Sequence, residues 1–372
     1  MTLLSLPVFL WLTGAAVCAW ALPRAAQPLG AALCTAAFLA YHAPLSLLIL
    51  SATSLSVFVV LRRERVPAAI VLYSIGIIAA IFVWFKLHSD AGPAGAARSV
   101  MPLGLSYYSF RQIHYIFESY KRKLADHTLS DYLCYLFFLP TLHVGPIHRF
   151  PEFLRDLKRR RWDPTNGSLG LERILYGYVK IVFLGNYLTE RQFELLINSV
   201  GGSSLALTVY LHSLSQWANL YFQFSGYSDV AIGFSLFMGF HVRENFNRPF
   251  LAENVVDFWQ RWHMSLTSWC KDYVFIPLAS LTRLPVLSVL AAMLILGLWH
   301  EFSGRYVLWG CYQAAGILLW HWFQDVKKSL PEWKHRWVRP LMRLASVLLT
   351  LNFIVTSMIV SKYLYAQMRV MF

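Results

Sequence analysis

The sequence predicts an all-α, polytopic integral membrane protein, and three observations carry that prediction. Of 372 residues, 57% are hydrophobic and only 14% charged, with a mean hydropathy of +0.48. Ordinary soluble domains carry about 25% charged residues, so too few ionic groups remain here for a water-facing surface. Long stretches are also free of charge. Leu3 to Leu22 and Pro285 to Trp299 hold none, and Val66 to Phe85 and Leu341 to Val360 are nearly as clean, with Arg343 alone near an end. A helix needs roughly 20 apolar residues to cross a bilayer. Finally, the formal net charge of +14 is concentrated in short clusters: RRER (Arg62 to Arg65), KRK (Lys121 to Lys123) and RDLKRRR (Arg155 to Arg161). In a membrane protein such loops face the cytoplasm beside anionic lipid. That context removes nucleic acid as the first reading of the charge. A second use of the 155–161 cluster stays open, as a contact for an acidic cytoplasmic partner or a phosphorylated donor.

The elements follow in order. The first span is expected at about 3–22. It lacks the basic leading segment of a signal peptide, since Arg24 is the first positive residue and lies after the apolar run, so it reads as a retained span. Two short spans within 28–61 and one at 66–87 complete an N-terminal block, residues 1–98, closed by the turn-rich loop Ser89 to Ser99. From Pro102 to Leu281 the apolar stretches are interrupted by Pro, Gly, His and charge. LPTLHVGPIHRF (Leu139 to Phe150) contains Pro140, Gly145 and Pro146, and proline removes a donor and clashes with the preceding turn. Broken backbone at membrane depth has to be buried in protein or line a wet cavity, so re-entrant or half-crossing segments are expected. Clean spans follow at about 285–300, 305–323 and 340–360. There is no internal repeat. One membrane-embedded domain, 1–372, is expected, with a core at 100–312 and further spans in 313–372.

The cysteines (Cys18, Cys34, Cys134, Cys270, Cys311) are scattered without a CxxC pair. They indicate neither a zinc site nor a disulfide framework and read mostly as small buried hydrophobes. His143 and His148 flank a Gly-Pro break, but the spacings that hold zinc are absent. No GxSxG elbow, Walker loop or dinucleotide glycine pattern occurs.

Two other histidines stand out. In FWQRWHMSLTSWCKDY (Phe258 to Tyr273), Phe258, Trp262, Leu266, Trp269 and Tyr273 form one helical stripe, opposed by Asp257, Arg261, Ser265, Ser268 and Asp272. Asp257 and Arg261 are in i,i+4 register. His263 falls roughly 100° from the stripe's centre at the α-helical repeat, on the flank beside Trp259. Packing and function both suit that position. His300 ends a run of fourteen uncharged residues and is followed by Glu301. An ionisable group at that depth is a functional hypothesis by default, and a polar end-marker at the interface is the competing explanation. Two histidines among tryptophans and broken helices suit proton transfer inside a buried channel.

A series of blocks then resembles the membrane-bound O-acyltransferase (MBOAT) family. PLGLSYYSFRQIHYIFESYK (Pro102 to Lys121), FFLPTLHVGPIHRF (Phe137 to Phe150), GLERILYGYVKIVFLGNYL (Gly170 to Leu188), FSGYSDVAIGFSLFMGF (Phe224 to Phe240), ENFNRPF (Glu244 to Phe250), the 258–273 stretch and LGLWHEFSGRYVLWG (Leu296 to Gly310) match in order. Two bacterial branches share these features, the alginate-type O-acetylation membrane protein and the D-alanyl transferase subunit for teichoic acid. FSGYSDVAIG is similar to the first; ENFNRPF and the single C-terminal span are similar to the second. Glu301 stands where the family has glycine after its catalytic histidine, and Gln223 where an aspartate often precedes FSGYSD.

The resemblance implies a helical fold around a central tunnel. It implies that His300 is catalytic, its neutral imidazole taking the acceptor hydroxyl's proton during attack on a thioester; an unperturbed histidine titrates near about 6.5 and is mostly free base at neutral pH. His263 would support it, orienting the acceptor or stabilising developing charge. Trp299, Trp262, Arg261, Ser265, Asp272, Tyr273, Asn247, Tyr227 and Ser225 would line the tunnel. No cofactor or metal would be bound. The donor would be acyl-CoA or an acyl-carrier-protein thioester, met by Arg159, Arg160 and Arg161. An extracytoplasmic partner acyltransferase would pass the acetyl or D-alanyl group to a cell-envelope polysaccharide or cell-wall polymer, the chain residing in the bacterial cytoplasmic membrane. Tyr363 and Tyr365 read as an acyl relay or, more simply, as interfacial anchors. A transporter or flippase of a lipid-linked sugar is the rival from another class. Such proteins commonly show inverted repeats, which this sequence lacks. A purely structural subunit is the other rival.

Overall fold

Every regular element among the described residues is helical, and the helix ends track the apolar runs. The computed structural model describes residues 5–62, 66–90, 101–200, 204–329 and 338–364. Most of the RRER cluster, the 91–100 part of the turn-rich loop and Tyr365 lie outside the described residues. By contact the chain divides into two units, residues 1–181 with 224–244, and residues 182–223 with 245–372.

The first unit opens with α1 (Leu6–Ala21), α2 (Gln27–His42), α3 (Pro44–Leu61) and α4 (Ala68–Asp90). Each of the first three carries proline in its first turn, where the missing N–H costs nothing. By length and composition α3, residues Ala68–His88 of α4, and Val338–Lys362 can cross a membrane. The expected spans at 3–22 and 285–300 are apolar helices of 16 residues, shorter than a full crossing requires. Next come α5 (Leu105–Tyr120), α6 (Leu129–Leu136), α7 (Phe150–Arg159) and α8 (Pro164–Tyr178). Thr128 and Asp131 form a capping box on α6, and Asp163 caps α8.

The expected break between Leu139 and Phe150 is present as a short 3-10 turn, Leu139–Thr141, followed by non-helical backbone. Its orphan carbonyls are met from inside. Arg111, fully buried, donates to the carbonyls of Tyr135, Leu136 and Thr141 and to Thr141 Oγ1. His114 Nε2 accepts the Phe150 N–H at 2.9 Å, and His148 pairs with Thr141 Oγ1 at 3.0 Å. Gly145 turns at φ 112°, where a Cβ would reach 2.7 Å from Ala231. His148 is therefore a strut of this loop.

Glycines also set the packing of α8 against α10 (Leu205–Phe237), whose residues from 224 onward belong to this unit. A Cβ on Gly177 would lie 2.6 Å from the Gly226 carbonyl, and one on Gly170 would lie 2.8 Å from that of Gly233. Two seven-residue glycine spacings meet antiparallel. The close approach buries Asp229 between Arg173 Nη1 at 3.1 Å and Lys180 Nζ at 2.5 Å, and Arg173 also pairs with Glu244. A buried carboxylate persists only when cations and hydrogen bonds replace its water.

In the second unit the backbone runs in π-helical form through most of Val179–Phe193 into α9 (Glu194–Val200). Later elements are α11 (Val255–Arg261), α12 (Met264–Cys270), a π-helical turn Lys271–Phe275, α13 (Ile276–Thr282), α14 (Pro285–His300), α15 (Gly304–Lys327) and α16 (Val338–Ile359). α15 has the boundaries expected of a span, but Arg305, Gln313, His321 and Asp325 make it less apolar than the three crossing helices. Of the cysteines, Cys134 and Cys270 are buried, Cys18 and Cys34 half-buried and Cys311 exposed, so fewer serve the core than expected.

Candidate functional site

The stretch from Phe258 to Tyr273 is not the single amphipathic helix its stripe predicts. It breaks at Trp262–His263, where His263 takes the left-handed conformation at φ 45°, ψ 50° and heads α12. That conformation is uncommon for a non-glycine residue, and the partners that hold it come from the ENFNRPF segment. Asn247 N–H donates to the Arg261 carbonyl and Met264 N–H to the Asn245 carbonyl, both at 2.9 Å. An extended strip thus plugs the break and pairs the groups that helix continuity would have used. The periodicity gave no sign of this, because the paired segment lies fourteen or more residues upstream.

The strip also fixes the histidine. His263 is 2% exposed and Asn245 fully buried. Asn245 Oδ1 stands 3.0 Å from His263 Nδ1, 2.9 Å from Ser265 Oγ and 3.4 Å from the Ser265 backbone nitrogen. A backbone N–H can only donate, so this atom is the amide oxygen and His263 Nδ1 carries a proton. The ring's lone pair then resides on Nε2. Asn245 is the residue that sequence reasoning missed; its neighbour Asn247, expected in the tunnel, has an exposed side chain and contributes through its backbone.

His300 is the last residue of α14. Its ring lies 4.5 Å from Trp299, stacks on Tyr306 at 5.7 Å and meets Trp309 edge-on at 5.8 Å. Trp299 in turn meets the His263 ring at 5.7 Å. The two histidines therefore contact the same indole. Helix packing brings Tyr306 and Trp309 there. A Cβ on Gly297 would approach the Tyr306 carbonyl to 2.5 Å, and one on Gly310 that of Met293 to 2.8 Å, so α14 and α15 touch backbone to backbone. The glycines of the LGLWHEFSGRYVLWG block were the available signal. Glu301 is extended, half-buried and closes α14 through its N–H to Gly297.

The other expected tunnel residues divide. Trp262 is buried as wall, 5.1 Å from both Trp217 and Phe246 and stacked on Phe258 at 5.5 Å. Arg261 is held by Asp257 at 2.7 Å in the expected i,i+4 pair. Ser265 is inside, on Asn245. Asp272 is exposed, and Tyr273 packs on Trp269 at 5.3 Å, both on the π-helical turn. Ser225, buried, and Tyr227, half-buried, belong to the first unit. So do the three arginines. Arg159 and Arg161 are exposed, whereas Arg160 donates to the carbonyls of Met238 and Ala19 and to Gln27 Oε1, which leaves it a structural part. Gln313, fully buried, accepts the Trp259 indole N–H at 3.3 Å.

Comparison with known proteins gives a family model described as MBOAT, membrane-bound O-acyltransferase family, matching residues 42–325. A probable alginate O-acetylase of Pseudomonas aeruginosa is 35% identical over 227 residues, 59% of this chain and 42% of the relative. A teichoic acid D-alanyltransferase of Bacillus subtilis is 29% identical over 273 residues, 68% of this chain and 66% of the relative. A peptidoglycan O-acetyltransferase of Helicobacter pylori is 28% identical over 288 residues, 68% of this chain and 53% of the relative. The chain spans less than half the length of the alginate-type relatives it matches.

Proposed function

Because the chain belongs to the membrane-bound O-acyltransferase family, we propose that it transfers an acyl group, acetyl or D-alanyl, from a cytoplasmic thioester to a hydroxyl serving an extracytoplasmic cell-envelope polymer. The names of the relatives support both acyl groups and a polymer acceptor. The observation that carries the reading is that the His263 and His300 rings both lie against the Trp299 indole.

In this reading His300 is the general base. Its imidazole takes the proton of the acceptor hydroxyl as that oxygen forms a bond to the thioester carbonyl carbon. The C–S bond then breaks, and the departing thiolate recovers the proton from the imidazolium. His263 acts as a neutral ring. With Nδ1–H spent on Asn245, Nε2 is an acceptor. Because the reacting hydroxyl gives its single proton to His300, Nε2 takes a hydrogen bond from a second donor group of the acceptor and so orients it, which suits orientation better than donation to an oxyanion. Trp299 and Trp309 exclude water around His300.

The donor is acyl-CoA or an acyl carrier protein, with the exposed Arg159 and Arg161 meeting its negative charge. No bound cofactor or metal enters the scheme. A separate extracytoplasmic acyltransferase completes delivery, and the protein works in the bacterial cytoplasmic membrane. The test is thiol release by the purified chain, supplied with a hydroxyl-bearing envelope-polymer acceptor, from acetyl-CoA and, separately, from a D-alanyl carrier thioester. His300→Ala should lower turnover by about a thousandfold, within the 10²–10⁴ range of general-base catalysis. His263→Ala should cost less. Equal turnover in wild type and His300→Ala would remove His300 from the chemistry.

A further inference from the structure

An apolar groove lies in the first unit, away from both histidines in sequence. It measures about 690 Å³ and runs between α1, α8 and the end of α10. Phe9, Ala16, Val17, Leu171, Ile174 and Phe234 form its walls. Its one side-chain hydroxyl, on Thr13, is occupied by the Phe9 carbonyl at 2.9 Å. At one end Trp20 and Trp162 meet edge to face at 5.6 Å, and the Trp20 indole donates to the Phe237 carbonyl. Indoles of this kind mark the membrane–water boundary.

Basic residues neighbour these indoles, Arg160 in space and Arg161 and Arg24 in sequence. The Arg160 guanidinium sits 4.9 Å over Trp20 and is consumed by carbonyls and Gln27. Arg161, adjacent to Trp162, and Arg24, three residues beyond α1, are exposed, and neither has an ion pair among the described residues. Asp163, the nearest acid in sequence, turns its Oδ1 to the Thr165 N–H at 2.8 Å. The groove thus has an apolar body and an aromatic collar, and two exposed arginines follow closely in sequence on the segments that carry the collar.

From this arrangement we infer that the α1–α8–α10 groove binds one acyl chain of an anionic phospholipid, whose phosphate rests on Arg24 and Arg161. The volume is of the size that takes a small apolar ligand, and guanidinium suits phosphate geometry. A neutral lipid would fill the body and leave the charges unanswered. The inference does not draw on the histidine site; it shares Arg161 with the proposed donor contact, and the groove-filling variants, which leave Arg161 in place, separate the two.

The experiment is native mass spectrometry of the delipidated full chain titrated with phosphatidylglycerol or phosphatidylcholine of equal chain length. Wild type should retain one phosphatidylglycerol in preference to phosphatidylcholine. Arg24→Ala with Arg161→Ala should lose that preference by about thirtyfold, since each basic residue near an anionic surface contributes about fivefold. Ala16→Trp or Leu171→Trp, on α1 and α8, should abolish retention while the protein stays folded and monodisperse. Wild type showing no headgroup preference, or both groove-filling variants retaining lipid at the wild-type level, would overturn the assignment. So would a dimer that forms in place of the lipid complex, because a second copy would then cover the groove. Having two groove-filling variants separates misfolding of one from failure of the idea.

Discussion

Asn245→Ala removes the carboxamide, and the consequence of losing its oxygen can be worked from the contacts. That oxygen accepts from His263 Nδ1–H, from Ser265 Oγ–H and, at 3.4 Å, from the Ser265 backbone N–H. All three residues are at most 3% exposed, so water cannot replace it without opening the segment. A buried donor left without an acceptor costs roughly 1–3 kcal/mol. The serine hydroxyl can rotate elsewhere and the 3.4 Å contact is weak, so the histidine dominates. The total should be about 3 kcal/mol. For a unit of this size each kcal/mol moves the melting point by about 2–4 °C, giving a drop of about 6–12 °C. Thermal unfolding of the detergent-solubilised protein, followed by tryptophan fluorescence, measures it. Asn245→Asp keeps an oxygen in place and should recover at least half. Turnover should fall with Asn245→Ala even below the transition, because the His263 tautomer is no longer fixed. A melting point within about 2 °C of wild type, with unchanged turnover, would refute the argument.

Other perturbations follow from the same reasoning. Gly177→Ala places a Cβ 2.6 Å from the Gly226 carbonyl and should cost about 1–3 kcal/mol as overpacking, whereas Gly14→Ala, with nothing within 4 Å, should be neutral or slightly stabilising; melting points of the pair decide. Asp229→Asn leaves Arg173 and Lys180 without their shared anion and should cost about 3–5 kcal/mol, visible as lost folded yield. Arg159→Glu with Arg161→Glu should raise the apparent KM for a negatively charged donor while the melting point holds, and an unchanged KM would sink the donor role of that loop. Arg160→Glu, by contrast, should lower the melting point, since its hydrogen bonds tie α1 and α2 to the end of α10.

The helical class and the membrane were legible because they depend on composition and on long apolar runs, which averaging does not blur. The break at Leu139–Phe150 was legible because Pro140, Gly145 and Pro146 forbid a helix locally. The break at His263 was not. Nothing between Phe258 and Tyr273 forbids a helix, and the apolar stripe favours one. The conformation is imposed by Asn245 and Asn247, whose backbone groups outcompete the local preference. Asn245 and Asn247 could not be ranked from sequence either, since both sit in the same polar motif and only the fold buries one. Asp229 went unremarked for a similar reason: its cations lie on another helix, and the matching glycine spacings at 170/177 and 226/233 become informative only as a pair. Of the expected tunnel, Trp262, Ser265, Trp299 and the two histidines assemble in the second unit, while Asp272 and the Asn247 side chain face outward.

The central claim is that His300 drives acyl transfer to an envelope polymer. The measurement that tests it most directly is mass spectrometry of envelope polymers from cells expressing either wild type or His300→Ala at equal levels. The account predicts an ester-linked group present with wild type and missing with the variant, its mass distinguishing acetyl from D-alanyl. Identical esters in both strains would contradict it.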